Sequence, residues 1–448
     1  MKKRQTVFLI IVIVVLAAVG YFYYSLDDIQ ASPGGESFRS WLPRELTRAF
    51  TTTELSWIQE QKLVASDAYG GQMLGSSAAI DGDVAILGAP YDPTFSGSDP
   101  GSAYIYRFDG YEWIEEQKLL ASDGVDDDQF GYSVSVSGDV AVVASPYDDD
   151  LGSDSGSVYV YRFNGVNWVE EQKLLASDGA ASDKFGRSIS VSDDVIVIGA
   201  SSDDWAPCGN NCGAAYVFRF DGLSWVEEQK LLASDGASAD SFGYSVSVSG
   251  NVAFVGALGV DDFGSMSGAT YVFRYDGNQW IEKQKLTPID AEQWIQFGYF
   301  VDVSGDVAVI GANRDNDHGS DSGSAYVFRF NGVDWVEESK LLASDGAVGD
   351  DFGSAVSVSG NTAVIGAHLN GELGWKAGAT YVYRFDGLTW VEEVKLLASD
   401  GYSLDEFGSA VAVCDDVIVV GAKGEDSLYM STGAAYIFRS TENEIRNI

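Results

Sequence analysis

Apolar and polar positions along the chain fall into short runs of two kinds. One kind alternates, as in Ser133-Val134-Ser135-Val136-Ser137; the other is continuously apolar, as in Val195-Ile196-Val197-Ile198 before Gly199-Ala200. Alternation marks a strand with one covered face, and a short apolar run bounded by turns marks a strand covered on both. From Trp57 onward these runs recur in fixed order. A Trp-led strand is followed by a Phe-Gly pair, an alternating strand, a turn, an apolar strand ending in Gly-Ala, a loop, and a Tyr/Val/Phe strand. The leading tryptophans, Trp57, Trp113, Trp168, Trp225, Trp280, Trp335 and Trp390, are spaced by 56, 55, 57, 55, 55 and 55 residues. The pattern predicts four strands and no helix in each of seven units.

Turn chemistry supports the same division. Asp109-Gly110, Asn164-Gly165, Asp221-Gly222, Asp276-Gly277, Asn331-Gly332 and Asp386-Gly387 separate the Tyr/Phe strand from the Trp strand, and read as two-residue hairpin turns with both central residues at positive φ. Asp81-Gly82, Ser137-Gly138, Ser249-Gly250, Ser304-Gly305 and Ser359-Gly360 mark the other hairpin. The seventh Asp/Asn-Gly turn is missing. The last unit stops at Tyr436-Ile437-Phe438-Arg439, whereas the segment Trp57 to Ala65 precedes any alternating strand. Pairing the two ends closes a ring and hides edges that an open array would expose. The fold class is therefore all-β, a seven-bladed propeller of four-stranded blades spanning residues 55–440.

The first 54 residues follow another pattern. Lys2, Lys3 and Arg4 precede an apolar run from Val7 to Val19, then Gly20 and the cluster Tyr21, Phe22, Tyr23, Tyr24. Residues 6–24 suit one transmembrane helix, with a basic cytoplasmic tail at 1–5 and an interfacial aromatic belt at the far side. A cleaved signal peptide is the alternative, giving a secreted or periplasmic protein; both readings export the rest. Residues 25–54 form a stalk limited by Pro33 and Pro43, and 441–448 form a C-terminal tail.

Composition narrows the function. With 27 Lys+Arg against 67 Asp+Glu the net charge is −40, which repels phosphate backbones and excludes nucleic-acid binding. At 46% hydrophobic and 13% aromatic, the chain has enough apolar surface to fold despite that charge. Its length exceeds what a single core sustains, which fits an array of small cores.

The recurring Phe130-Gly131, Phe185-Gly186, Phe242-Gly243, Phe297-Gly298, Phe352-Gly353 and Phe407-Gly408, each followed by an element like Gly88-Ala89-Pro90, resemble FG-GAP repeats, the blades of the integrin alpha-subunit propeller in their bacterial variety. Leu74-Gly75 and Ala144-Ser145-Pro146 depart from the motif. The resemblance implies an extracellular binding or adhesion domain. Its calcium loop, between the Phe-Gly and Gly-Ala strands, does not carry over, because a tight turn stands there. Calcium has another candidate place after Gly-Ala, at Asp148, Asp150 and Asp154 and at Asp315, Asp317 and Asp321, against the alternative of solvated acidic loops.

In an up-and-down blade with strands A to D, the A–B and C–D turns share one face and the B–C and D–A loops the other. The second face receives every long acidic loop, together with three tryptophans outside the repeat, Trp205, Trp294 and Trp375. These are the candidate ligand-binding residues, for an extracellular protein or carbohydrate. Cys208 and Cys212 suit a disulfide in one loop, and Cys414 reads as an exposed free thiol in an A–B turn. Glu115, Glu116 and Lys118, and Glu170, Glu171 and Lys173, read as charges that blunt exposed outer edges. The propeller is expected to be monomeric. No nucleophile and base recur together, so the expectation is a non-enzymatic binding propeller. A structural surface component and a carboxylate-based lyase or hydrolase are the alternatives.

Overall fold

The computed structural model describes residues 57–92, 100–426 and 430–440. The expected cytoplasmic tail, membrane segment, stalk and C-terminal tail lie outside these residues. Among the described residues no helix is long and apolar enough to cross a membrane.

Seven antiparallel sheets of four strands each make the blades. Blade 1 runs from the axis outward as strand A (Ser77–Asp81), B (Val84–Ala89), C (Ser102–Phe108) and D (Trp113–Leu119). Blades 2 to 6 repeat this order. Blade 7 takes A, B and C from Phe407–Cys414, Val417–Ala422 and Ala434–Ser440, and D from Trp57–Leu63. The closing register runs antiparallel from Trp57 opposite Ser440 to Leu63 opposite Ala435.

There is no single core. Each apolar cluster lies between two blades, as Val140, Val142 and Val160 of blade 2 pack on Ile196, Ile198 and Tyr216 of blade 3. Strand B is buried along its whole length in every blade but the fourth, where only Val252 is half-buried, which is why its sequence runs apolar without alternation. The Phe-Gly and Gly-Ala pairs are two halves of one contact. Phe130 of blade 2 packs edge-on against Tyr159 at 5.4 Å, and Gly131 follows at φ +94°. A Cβ on Gly88 of blade 1 would stand 1.9 Å from the Gly131 carbonyl, so at this junction the close approach of the two blades requires glycine. Where blade 2 has Ala144 in place of glycine, the methyl already occupies that space beside Gly186.

The outer strands do more than blunt edges. Gln117 joins neighbouring D strands, donating to the Trp168 carbonyl (2.7 Å) and accepting from the Trp168 amide (2.8 Å); Gln61, Gln172, Gln229 and Gln284 do likewise. Ser339 and Val394 stand at the equivalent positions in blades 5 and 6. Glu115 accepts from the Ser66 amide and hydroxyl (both 2.7 Å), while Glu116 bonds Arg107 and the Trp168 indole N–H (both 2.9 Å). The edge charges are thus blade-to-blade and strand-to-strand ties, which corrects the expectation of a purely protective role.

At the axis, strand A presents an edge of amides with no strand partner, and the alternating serines satisfy it. Ser135 accepts from the Val191 amide (3.1 Å), Ser190 from Val248 (3.1 Å) and Ser357 from Val413 (3.1 Å). At the turn, Ser192 accepts from Gly250, and Cys414 takes the same place at the closing junction, its Sγ 3.5 Å from the Gly82 amide. Cys414 is half-buried rather than exposed, and burial pushes its thiol pKa up. The Asp-Gly hairpins also differ from expectation. They are four-residue loops in which only the glycine has positive φ, because the Asp109 carboxylate accepts from the amides of Tyr111 (2.8 Å) and Glu112 (3.0 Å) and shapes the turn itself.

Candidate functional site

The B–C and D–A loops share one face, and a repeated cation holds them together. Lys173, near the end of strand D in blade 2, places its ammonium 2.8 Å from Asp123 in the incoming D–A loop, and 2.9 and 2.7 Å from Asp148 and Asp150 in the B–C loop. The Tyr159 hydroxyl bridges Asp123 (2.7 Å) and Asp148 (3.1 Å). Lys340 repeats the arrangement with Asp290, Asp315 and Asp317, and Lys62, Lys118, Lys230, Lys285 and Lys395 each hold two carboxylates in the same way. The ammonium therefore lies between the carboxylates singled out for calcium. Asp154 and Asp321 stand apart from it, donating their amides to Asp149 and Asn316. Among the described residues no group of three or more His, Cys, Asp or Glu side chains is arranged to hold a metal ion.

A second set of loop aspartates, buried except for the half-buried Asp351, forms no ion pair among the described residues. Asp128, Asp183 and Asp405 each accept an amide three residues back, and Asp351 lies beside Asn313; burial raises all four pKa values to about 6. In Asp67, Asp123, Asp178, Asp235, Asp345 and Asp400 burial acts the same way, but the lysine and tyrosine bonds outweigh it and the pKa falls. The signs give a pH profile. The first set destabilises the folded protein above its folded pKa, and this cost disappears as pH falls from about 7 toward the unfolded value of about 4. The second set stabilises above about 4 and loses its contribution below it. The thermal midpoint is expected to rise by several degrees from pH 7.5 to pH 5 and to drop below pH 4, with Asp183→Asn flattening the upper limb. A midpoint that falls steadily from pH 7.5 would contradict this assignment.

The structure separates the three loop tryptophans. Trp205 is half-buried, donates its indole N–H to the Gly213 carbonyl (3.2 Å) and covers Gly236 in the next loop. Leu151, His318 and Leu373 cover Gly179, Gly346 and Gly401 in the same way, so Trp205 fills a loop-packing position. Trp294 and Trp375 are exposed, at 48% and 68%, on loop pairs two blade steps apart. The Trp294 amide donates to Ser265 (2.7 Å), and the Trp375 carbonyl accepts from Leu404 (2.9 Å), the bond by which each B–C loop meets the following D–A loop. Cys208 and Cys212 form a disulfide in the Trp205 loop, with Cα atoms 6.2 Å apart.

Sequence reasoning passed over the axis. The seven A strands enclose a channel of about 730 Å³ that opens among the loops. At its mouth stand the residues directly after Phe-Gly, among them Tyr132, Arg187, Tyr244 and Tyr299. The Arg187 guanidinium lies over the Tyr132 and Tyr244 rings, 5.0 and 4.3 Å from their centroids, and bonds the Tyr132 hydroxyl. Tyr299 packs on Tyr244 at 5.3 Å. His368 Nδ1 pairs with Ser354 Oγ at 2.8 Å, and burial with the charge of Lys423 lowers its pKa to about 4. Deeper, Asp302 stands in register with the channel serines and accepts from Ser247 (2.9 Å), Ser357 (3.1 Å) and the Val358 amide (2.8 Å); burial raises its pKa. The signal was present, since Arg187 and Asp302 each break a repeated column.

Seven closed blades, with paired loops on one face and tight turns on the other, define a β-propeller scaffold. The FG-GAP repeat family matches at residues 57–106, 113–161, 168–218, 225–273, 280–328, 335–383 and 390–438. The chain belongs to the FG-GAP repeat family. Its architecture is consistent with integrin-alpha-like propellers. No curated protein matches it significantly.

Proposed function

We propose that the protein is a membrane-anchored, extracytoplasmic binding propeller, without catalytic activity, that recognises a protein or glycan through the B–C/D–A loop face. The observation that carries this reading is a run of exposed apolar side chains on one loop pair: Leu373 (40%), Trp375 (68%), Tyr402 (74%) and Leu404 (48%). They rest on loops fixed by the Leu404–Trp375 and Glu406–Lys376 backbone bonds and by the Lys395 ion pairs to Asp345 and Glu372. Aromatic side chains on a rigid support lose little freedom on binding and serve as anchors. Trp294, with Phe263 exposed on the B–C loop that meets its own loop, offers a second contact region. Trp57 stands at the tight-turn end of strand D, opposite the loops.

Calcium enters this reading only where it displaces Lys173 or Lys340 from the aspartates they hold. Titrating calcium into metal-stripped protein, with heat at millimolar metal, would establish such a site.

The full chain, applied to glycan and matrix-protein arrays with and without calcium, is expected to give discrete positive spots. Trp375→Ala is expected to weaken them at least about tenfold, as truncating a central aromatic anchor does elsewhere. A silent array, or spots unchanged in Trp375→Ala and Trp294→Ala alike, would overturn the proposal in favour of a structural surface component.

A further inference from the structure

Arg187 is out of place in two respects. In a chain of net charge −40, it forms no ion pair with any carboxylate among the described residues, and its only side-chain hydrogen bond goes to the Tyr132 hydroxyl. Strand C arginines behave otherwise: Arg107, Arg162, Arg219 and Arg329 each carry a glutamate at 2.7–3.0 Å. It also interrupts the ring of residues that follow Phe-Gly, where the other blades have tyrosine or serine.

The surroundings hold that charge in place without neutralising it. Tyr132 and Tyr244 lie beneath the guanidinium, an aromatic contact that stabilises a cation; one N–H goes to the Tyr132 hydroxyl, and the others make no side-chain hydrogen bond among the described residues. Tyr147 packs on Tyr132 at 6.1 Å and Tyr299 on Tyr244 at 5.3 Å, which fixes both rings. Of the other charges at the mouth, Lys423 is paired with Glu406 at 3.0 Å, and His368 is neutral at pH 7. Asp302 is bonded to serines and amides deeper in the channel.

We propose that the channel mouth is a binding site for a monovalent carboxylate carried on a six-membered ring, aromatic or pyranose, with Arg187 taking the carboxylate and the tyrosines and Ser354 receiving the ring. A guanidinium edge presents parallel N–H donors that match the two oxygens of a carboxylate. One unpaired cation suits one negative charge, whereas a polyanion meets the field of the whole acidic protein. Ring faces of tyrosine accept either an aromatic ring or the C–H face of a sugar. The site is separate from the Trp375 patch and does not depend on the loop-face reading.

Titration of the full chain by calorimetry and ligand-observed NMR, with 4-hydroxybenzoate and glucuronate as probes and 4-hydroxybenzamide and glucose as neutral controls, tests the site and distinguishes the two ring types. Binding of at least one acid at millimolar concentration, with its neutral counterpart at least about tenfold weaker, is expected. Arg187→Gln should weaken the acid at least about tenfold, and Arg187→Lys should recover only part of the loss. Ser354→Tyr keeps the arginine and fills the mouth, so it should also abolish binding. Trp375→Ala should leave carboxylate binding unchanged. Failure of both acids to bind the wild-type chain, equal binding of acid and neutral probe, or full binding by folded Arg187→Gln would overturn the proposal.

Discussion

A chain lacking residues 1–65 is expected to lose the cooperative unfolding of the ring and to associate through an open edge. Without Trp57–Leu63, blade 7 keeps three strands, and Ala434–Ser440 exposes the edge that now pairs with the closing strand. Trp57 and Leu63, 6% and 2% exposed, leave the interface with blade 6 and the contact with blade 1. Loss of a buried tryptophan costs about 3–5 kcal/mol and each ladder hydrogen bond about 1 kcal/mol. The sum approaches the 5–15 kcal/mol that folds an ordinary domain. Scanning calorimetry should show a broadened, lowered transition, and light scattering should show oligomers. A synthetic peptide of residues 57–65 added in excess should restore both. A truncated chain that melts as one sharp transition near the wild-type temperature would show that closure by this strand contributes little.

Removing a single ammonium should come next in size. Lys340→Met takes away the cation between Asp290, Asp315 and Asp317 and leaves three carboxylates facing one another, with Asp315 buried and Tyr326 pointing at two of them. Breaking a fully buried pair costs about 3–5 kcal/mol, and because Asp290 and Asp317 are half exposed the expectation here is about 2–3 kcal/mol. The vacated position is surrounded by hard oxygen ligands. Millimolar calcium should therefore raise the melting temperature of Lys340→Met while leaving the wild-type protein unmoved. A variant that melts with the wild type, or that ignores calcium, would show that the lysine is not what holds these loops.

Those two results bear on what the residues made legible. Seven evenly spaced tryptophans, the Phe-Gly and Gly-Ala pairs and the missing final turn were sufficient for blade number, strand order and closure, because each reflects a contact repeated in every blade. The loop staples were not read, although Lys173, Tyr159, Asp123 and their equivalents recur as faithfully. Strand alternation places that lysine in a row of charged outer residues, and nothing local says that it turns toward the loops instead of solvent. Trp205 looked like Trp294 and Trp375 because all three lie outside the repeat. Only the packing of Leu151, His318 and Leu373 reveals that its position is a repeated one. The channel mouth was hidden for another reason. That the residue after Phe-Gly faces the axis is a fact of ring geometry, and until it is known Arg187 is one charge among many.

The strand that closes the ring is also the strand by which the chain enters it. A pull applied at Trp57 meets first the six register pairs between Trp57–Leu63 and Ala434–Ser440. Tension on that segment acts on the closure before it acts on any other blade. In mechanical terms the junction is a fuse: pulled hard enough, the protein opens at a single seam, leaving six blades with their four strands intact.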